Sequence, residues 1–230
     1  MAFLSRFWST DRSLTLLLLL LIVLIFVIDP LGDLGIGGQL LIEVVFSLLI
    51  LSGVGAVSKG TVATVVVGSL VLLSLVLRWL RLSLGMQALA APDALLSAFL
   101  CAILAAVVLA QVFREGPITS QRIQGAVAVY LLLGLAWAFA YTFIELRRPD
   151  AFSSPSAGVP PNADLSERFV YFSFVTLTTV GYGDVTAVHP IARSFATAEA
   201  LVGQLFPAIL LARLVSMELY YRQAKPTERR

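Results

Sequence analysis

The chain has 230 residues, 59% of them hydrophobic and 13% charged, with a net charge of +2. A soluble domain is nearer roughly 45–50% apolar and about 25% charged, so this composition belongs to a protein built for lipid. The small net charge, spread between hydrophobic runs, excludes a nucleic-acid partner. One cysteine (Cys101) and one histidine (His189) exclude an intrachain disulfide and a zinc-type centre.

A membrane-crossing helix needs about 20 mostly apolar residues. Runs that meet or approach this length occupy 14–28, 40–57, 61–77, 94–113, 123–145 and 190–220. Arg6 and Arg12 precede the first run in the manner of a secretory leader. The run is long for a leader core, however, and Asp29-Pro30-Leu31-Gly32-Asp33 offers no small-x-small cleavage site. It therefore reads as a retained helix. Asp29-Pro30, Gly37-Gly38, Ser58-Lys59-Gly60, Ala91-Pro92-Asp93 and Gly116-Pro117 punctuate the runs as turn or helix-start signals. Gly35-Ile36-Gly37-Gly38 is read as a plain turn.

Glu43 opens the second run as a candidate ion-pair partner for Arg78 or Arg81. The third run ends in Arg78-x-x-Arg81 beside Trp79, which reads as interfacial anchoring. The fourth run, Ala94–Phe113, has neither arginine nor lysine. A voltage sensor needs several arginines on one helix, each charge moved being worth about 2.3 kcal/mol per 100 mV, so strong voltage dependence is not expected. Residues 146–165 are polar and proline-rich and read as an exposed outer turret. Three regions follow: a four-helix membrane domain over 1–122, a domain of two runs flanking a polar connection over 123–220 and a short tail over 221–230, too short for a folded ligand sensor.

Between the fifth and sixth runs lies Thr178-Thr179-Val180-Gly181-Tyr182-Gly183-Asp184. Dehydrating a potassium ion requires oxygens that replace its water shell, and backbone carbonyls from four threonine-valine-glycine-tyrosine-glycine loops around one axis supply them. Gly181 and Gly183 let alternate residues take the dihedrals that turn the carbonyls inward. The Thr179 hydroxyl is the innermost candidate ligand, while Val180 and Tyr182 are expected to point away from the pore and pack behind it. Upstream, Asp164-x-x-Glu167 has the form of a capping box, and Phe169–Thr178 fits a short pore helix whose negative end favours a cation.

On these residues the chain resembles the pore-loop potassium channels over roughly residues 123–220. The resemblance implies an all-α membrane protein of six helices, with a re-entrant pore helix and selectivity filter between helices five and six. It also implies a homotetramer, since one chain gives one loop and four close the ring. Potassium ions would bind at Thr179, Val180, Gly181, Tyr182 and Gly183, with no organic cofactor and no enzymatic activity. Thr178, Asp184, Tyr171 and Phe172 would support the filter. Tyr171 and Phe172 stand where relatives often carry tryptophans, and Tyr171 is the candidate partner of Asp184. Val175 stands where some bacterial members place a buried glutamate. An outward-facing filter puts both termini in the cytoplasm, in agreement with a slight excess of basic residues on that side, and the family's tail-less members point to a bacterial plasma membrane.

In the sixth run the resemblance places a hinge glycine at Gly203, and Pro207 can kink the helix four residues on. Close packing at Gly203 and a static kink at Pro207 are the plainer readings. Glu199 and Gln204 are polar exceptions. Glu199 is expected to hydrogen-bond behind the pore helix or to sense pH, and Gln204 to face the cavity. Arg213 and Glu218 fit a solvated helix end. His189, before Pro190, reads as a solvated loop residue with a possible pH effect. The rivals are a potassium transporter subunit on a pore-loop scaffold and a non-conducting modulatory subunit.

Overall fold

The computed structural model describes residues 10–28, 41, 43–49, 61–114, 119–153 and 165–223. The helices are α1 (Thr10–Val23, continued by a π-helical turn Leu24–Ile28), α2 (Thr61–Leu84), α3 (Ala90–Val112), α4 (Ser120–Arg147), α5 (Leu165–Leu177) and α6 (Pro190–Gln223). Residues 43–49 are also helical. Among the described residues, Gln87–Val112, Ser120–Arg147 and Pro190–Tyr220 are long and apolar enough to cross a bilayer, and Leu14–Phe26 is a shorter apolar helix. Among the described residues the fold is almost wholly helical, with several apolar helices suited to a membrane. Asp29-Pro30, the turn at 35–38, most of the run 40–57, Ser58-Lys59-Gly60, Gly116-Pro117, Asp164, the turret residues 154–164 and the tail 224–230 lie outside the described residues.

The centre of the fold is α4, against which α1, α3, α5 and α6 all pack. In lipid there is little hydrophobic drive between helices, so close approach through small residues does the work. Gly125, Ala126, Ala128, Gly134 and Ala138 supply it. A methyl added at Gly125 would meet Val112 at 3.0 Å and Leu14 at 3.4 Å, so three helices converge there. From α3 the buried stripe Ser97, Leu100, Leu104, Val108 and Val112 recurs at three- and four-residue spacing, and α1 does the same with Leu14, Leu17, Leu21 and Ile25.

Helix α2 runs past the apolar stretch that ends at residue 77, because its arginines are neutralised inside the protein. Arg78 is 4% exposed; it donates to Glu43 and Ser97 and lies 3.6 Å from Asp93. Its guanidinium sits 4.2 Å above the Phe46 ring. Arg81 reaches Glu43 at 2.8 Å and Asp93 at 3.8 Å. The expected pairing of Glu43 therefore holds with both arginines. The reading of Arg78 as an interfacial anchor does not: two buried carboxylates draw it inward, and only Arg81 keeps part of its head exposed. Gly85, at φ +62, ends α2 and turns the chain into α3.

After α4, strand β1 (Phe152–Ser153) pairs antiparallel with β2 (Thr186–Ala187), matching Phe152 with Ala187 and Ser153 with Thr186. The amides of Val188 and His189 both donate to the Ala151 carbonyl. This small ladder ties the end of α4 to the chain leaving the filter motif, on either side of α5.

Candidate pore loop and filter

Two glycines bring α5 into its slot. A methyl at Gly134 on α4 would lie 2.6 Å from the Phe174 ring. A methyl at Gly203 on α6 would run into the Leu177 carbonyl. The same carbonyl accepts the Tyr130 hydroxyl at 3.1 Å. Gly203 is thus accounted for by packing, and α6 continues as one helix through both Gly203 and Pro207. On its other face, α5 inserts Phe169 and Phe172 among Tyr141 and Phe152, with ring centroids 4.7 Å apart for Phe152–Phe169 and 5.1 Å for Tyr141–Phe172.

A helix leaves its last four carbonyls without helical partners. Here the motif supplies donors for them. Thr178 N–H donates to Phe174 O at 3.0 Å and Thr179 N–H to Thr176 O at 2.9 Å. Val180 and Gly181 N–H both donate to Val175 O, at 3.0 and 3.3 Å. The Thr178 hydroxyl adds a bond to Phe174 O at 2.6 Å. The amides at the start of the motif are consumed in this way. Among the described residues no donor reaches the carbonyls of Thr179 to Gly183, which stay open for a ligand.

The backbone of this stretch alternates in hand. Thr179 has φ 60, Gly181 φ 59 and Gly183 φ 79, while Val180 and Tyr182 between them are not left-handed. Such alternation turns successive carbonyls toward one side, the arrangement a carbonyl-lined filter requires. For the two glycines this costs little. For Thr179, a β-branched residue, the left-handed conformation costs about 1–2 kcal/mol, and strain of this kind concentrates at functional sites. Sequence reading anticipated the two glycines but missed the threonine, because a β-branched residue there argues locally for extended chain.

Asp184 receives the Tyr171 hydroxyl at 2.6 Å, as the sequence led one to expect, and the Val185 amide at 2.9 Å. That hydrogen bond pushes the Tyr171 phenol up to about 12. Phe172, one residue on from Tyr171 and so about 100° around the helix, packs against Tyr141 of α4 and Phe152 within the aromatic group. Val180 and Tyr182, expected to pack behind the filter, are exposed in the single chain, Tyr182 at 72%.

Behind α5, the Glu199 carboxyl of α6 is 0% exposed. It lies 2.5 Å from the Tyr141 hydroxyl of α4 and 2.5 Å from the Ser173 hydroxyl of α5. Its expected place behind the pore helix is therefore where the chain puts it. The partners Tyr141 and Ser173 were not anticipated; their signal was a hydroxyl within an otherwise apolar run. Gln204 is exposed. His189 is not a free loop residue: its Nδ1 accepts the Ile191 amide at 3.2 Å and its carbonyl the Arg193 amide at 3.0 Å, which caps the start of α6. No cluster of candidate metal ligands occurs among the described residues.

Comparison with known proteins bears on the same region. Residues 127–219 match the family described as ion channel. Protein LctB of Bacillus caldotenax is 38% identical over 87 residues, which cover 37% of this chain and 64% of that one. Protein LctB of Geobacillus stearothermophilus is 39% identical over 82 residues, covering 35% and 60%. The two pore potassium channel c of Oryza sativa subsp. japonica is 38% identical over 90 residues, covering 39% and 19%. The chain thus spans less than two thirds of the length of each of these relatives. No solved structure matches it.

Proposed function

We propose that this chain, whose residues 127–219 form a pore-loop ion-channel domain, is one subunit of a homotetrameric channel that conducts potassium passively and selectively. The observation that carries this reading is the left-handed backbone at alternate residues Thr179, Gly181 and Gly183, beside carbonyls that no described donor reaches. Potassium ions would exchange their water for the carbonyls of Thr179, Val180, Gly181 and Tyr182, with the Thr179 hydroxyl at the inner end. Thr178 and the pore-helix carbonyls hold the loop's base, and the Tyr171–Asp184 bond holds its outer end. The word potassium in the rice relative's name supports the same ion.

Fourfold assembly follows from the need to close a ring with one loop per chain. It is supported by the apolar side chains the single chain leaves uncovered, Val180 and Tyr182 beside the loop and Leu201, Leu205 and Ile209 along α6. In the assembly six helices per chain cross the membrane, four of them in residues 1–122, with both termini in the cytoplasm of the cell whose plasma membrane holds it. Gating bends α6 near Pro207, where the missing amide removes one helical hydrogen bond, while Gly203 stays seated on the pore helix. The two paired arginines of α2 leave voltage dependence weak.

The test is native mass spectrometry of the purified protein joined to ion uptake into liposomes. The expected result is a tetramer of one chain type that takes up potassium and rubidium but not sodium. A hetero-complex requirement, or tetramers that pass no ion, would favour the modulatory-subunit reading. Uptake by a monomer would favour a transporter.

A further inference from the structure

Three short oxygen–oxygen contacts meet behind the pore helix. Tyr141 Oη lies 2.5 Å from one Glu199 oxygen, Ser173 Oγ lies 2.5 Å from the other, and Ser173 Oγ also lies 2.7 Å from the Gly134 carbonyl oxygen. Oxygens this close need a proton between them, and without one they repel. Three contacts need three protons. The tyrosine and serine hydroxyls bring one each. The Gly134 carbonyl has none to give, so the third can come only from the carboxyl of Glu199.

We infer that Glu199 is held as a neutral carboxylic acid, and that its proton completes a clamp binding α4, α5 and α6 together behind the filter. This rests on the channel reading only for its effect on conduction. Tyr141 of α4 donates to one carboxyl oxygen. The protonated oxygen donates to Ser173 of α5, and Ser173 donates onward to Gly134 O of α4. Each group in the chain is then satisfied once and none is left over. Removing the proton breaks this count. The ionised carboxylate takes the serine proton for itself, and Ser173 then faces the Gly134 carbonyl lone pair to lone pair at 2.7 Å. The pore helix must move away from α4. Gly134 is where α5 sits closest, with Phe174 against it, and α5 carries the carbonyls that hold the filter's base. Glu199 is therefore a positioning residue, acting on the filter through Ser173.

The surroundings leave it no charged partner. From α4 the titratable groups near it are Tyr141 and, further along, Tyr130. On α5, Tyr171 is engaged with Asp184 and Arg168 with the Phe152 carbonyl. On α6, Arg193 bonds the Ala187 carbonyl. Among the described residues Glu199 forms no ion pair. A buried carboxyl at membrane depth without a counter-charge stays neutral or finds one.

The test uses the full chain in liposomes with three readouts: the infrared C=O stretch of a protonated carboxyl, hydrogen exchange of the α5 amides, and potassium uptake as a function of pH. Wild type is expected to show a protonated-carboxyl band at neutral pH that is missing from Glu199→Gln. Raising the pH should remove the band, increase exchange in α5 and lose uptake. The Gln variant puts an amide, whose oxygen accepts from Tyr141 and whose nitrogen donates to Ser173, in place of the acid and has no proton to lose, so its exchange and uptake should not respond to the same change in pH. Ser173→Ala should exchange at neutral pH as wild type does when alkaline. A band unchanged in Glu199→Gln, or α5 exchange that rises with pH equally in that variant, would overturn the inference. If no variant conducts at any pH, the channel reading fails, while the band and the exchange still decide the clamp.

Discussion

The two halves of the molecule bury acidic groups by opposite means. In the N-terminal helices Glu43 and Asp93 lie against Arg78 and Arg81, two acids facing two bases, with the Phe46 ring over one guanidinium. Behind the pore helix the fully buried Glu199 meets only two hydroxyls among the described residues, those of Tyr141 and Ser173. The first arrangement is stiff, because ions taken from water cost several kcal/mol each unless every partner stays in place. The second can change by one proton, and it sits where a change would reach the filter. Charge balance among the N-terminal helices thus contrasts with proton sharing behind α5.

Breaking the charged cluster should have the largest effect. Arg78→Ala leaves Glu43 and Asp93 short of a partner and should cost about 3–5 kcal/mol of stability, read as a drop in the thermal unfolding midpoint in detergent. Neutralising the whole cluster together, with Arg78→Met, Arg81→Gln, Glu43→Gln and Asp93→Asn, should regain most of it. A quadruple variant no better than Arg78→Ala would show that the arginine acts by shape rather than charge. Next in size is Gly203→Ala, whose methyl has no room beside Leu177 O; overpacking of this kind costs about 1–3 kcal/mol. A purely flexible hinge predicts instead normal stability with altered gating, so the same melt separates the two.

Smaller still is Tyr171→Phe, which removes one hydrogen bond at an exposed site and should cost at most about 1 kcal/mol. Its effect should appear as faster loss of conduction at low potassium rather than in the melt. The smallest is Glu199→Gln. A neutral amide in place of a neutral acid should leave the midpoint within about 0.5 kcal/mol of wild type, as for a change that breaks no contact. A loss comparable to that of Arg78→Ala would mean that Glu199 is held as an ion, and the contrast between the halves would vanish.

What could be read from the sequence was what chemistry makes compulsory. A carbonyl filter demands glycines at fixed places, so Gly181 and Gly183 announce the loop and its family. Charged residues in lipid demand partners, so Glu43 pointed to Arg78 and Arg81, and Tyr171 to Asp184. Asp93 was hidden because it follows Pro92, where an acid is already explained as a helix start. The packing of Phe172 against Tyr141 was not legible, because adjacent residues on a helix face directions about 100° apart, and sequence proximity to Tyr171 says nothing about facing. The ladder between 152–153 and 186–187 is too short for any alternation to show. At Gly203 the sequence left hinge and close packing both open, because a glycine kept for contact and one kept for bending look alike until the Leu177 carbonyl is in place beside it.

The central claim is selective conduction through the Thr179–Gly183 loop, and the bi-ionic reversal potential tests it most directly. Purified protein in a planar bilayer, with potassium on one side and sodium on the other, should reverse near the potassium limit. In Gly181→Ala, where a side chain is forced into the left-handed region, that selectivity should be lost. A wild-type reversal potential near zero, or selectivity unchanged by Gly181→Ala, would contradict the account.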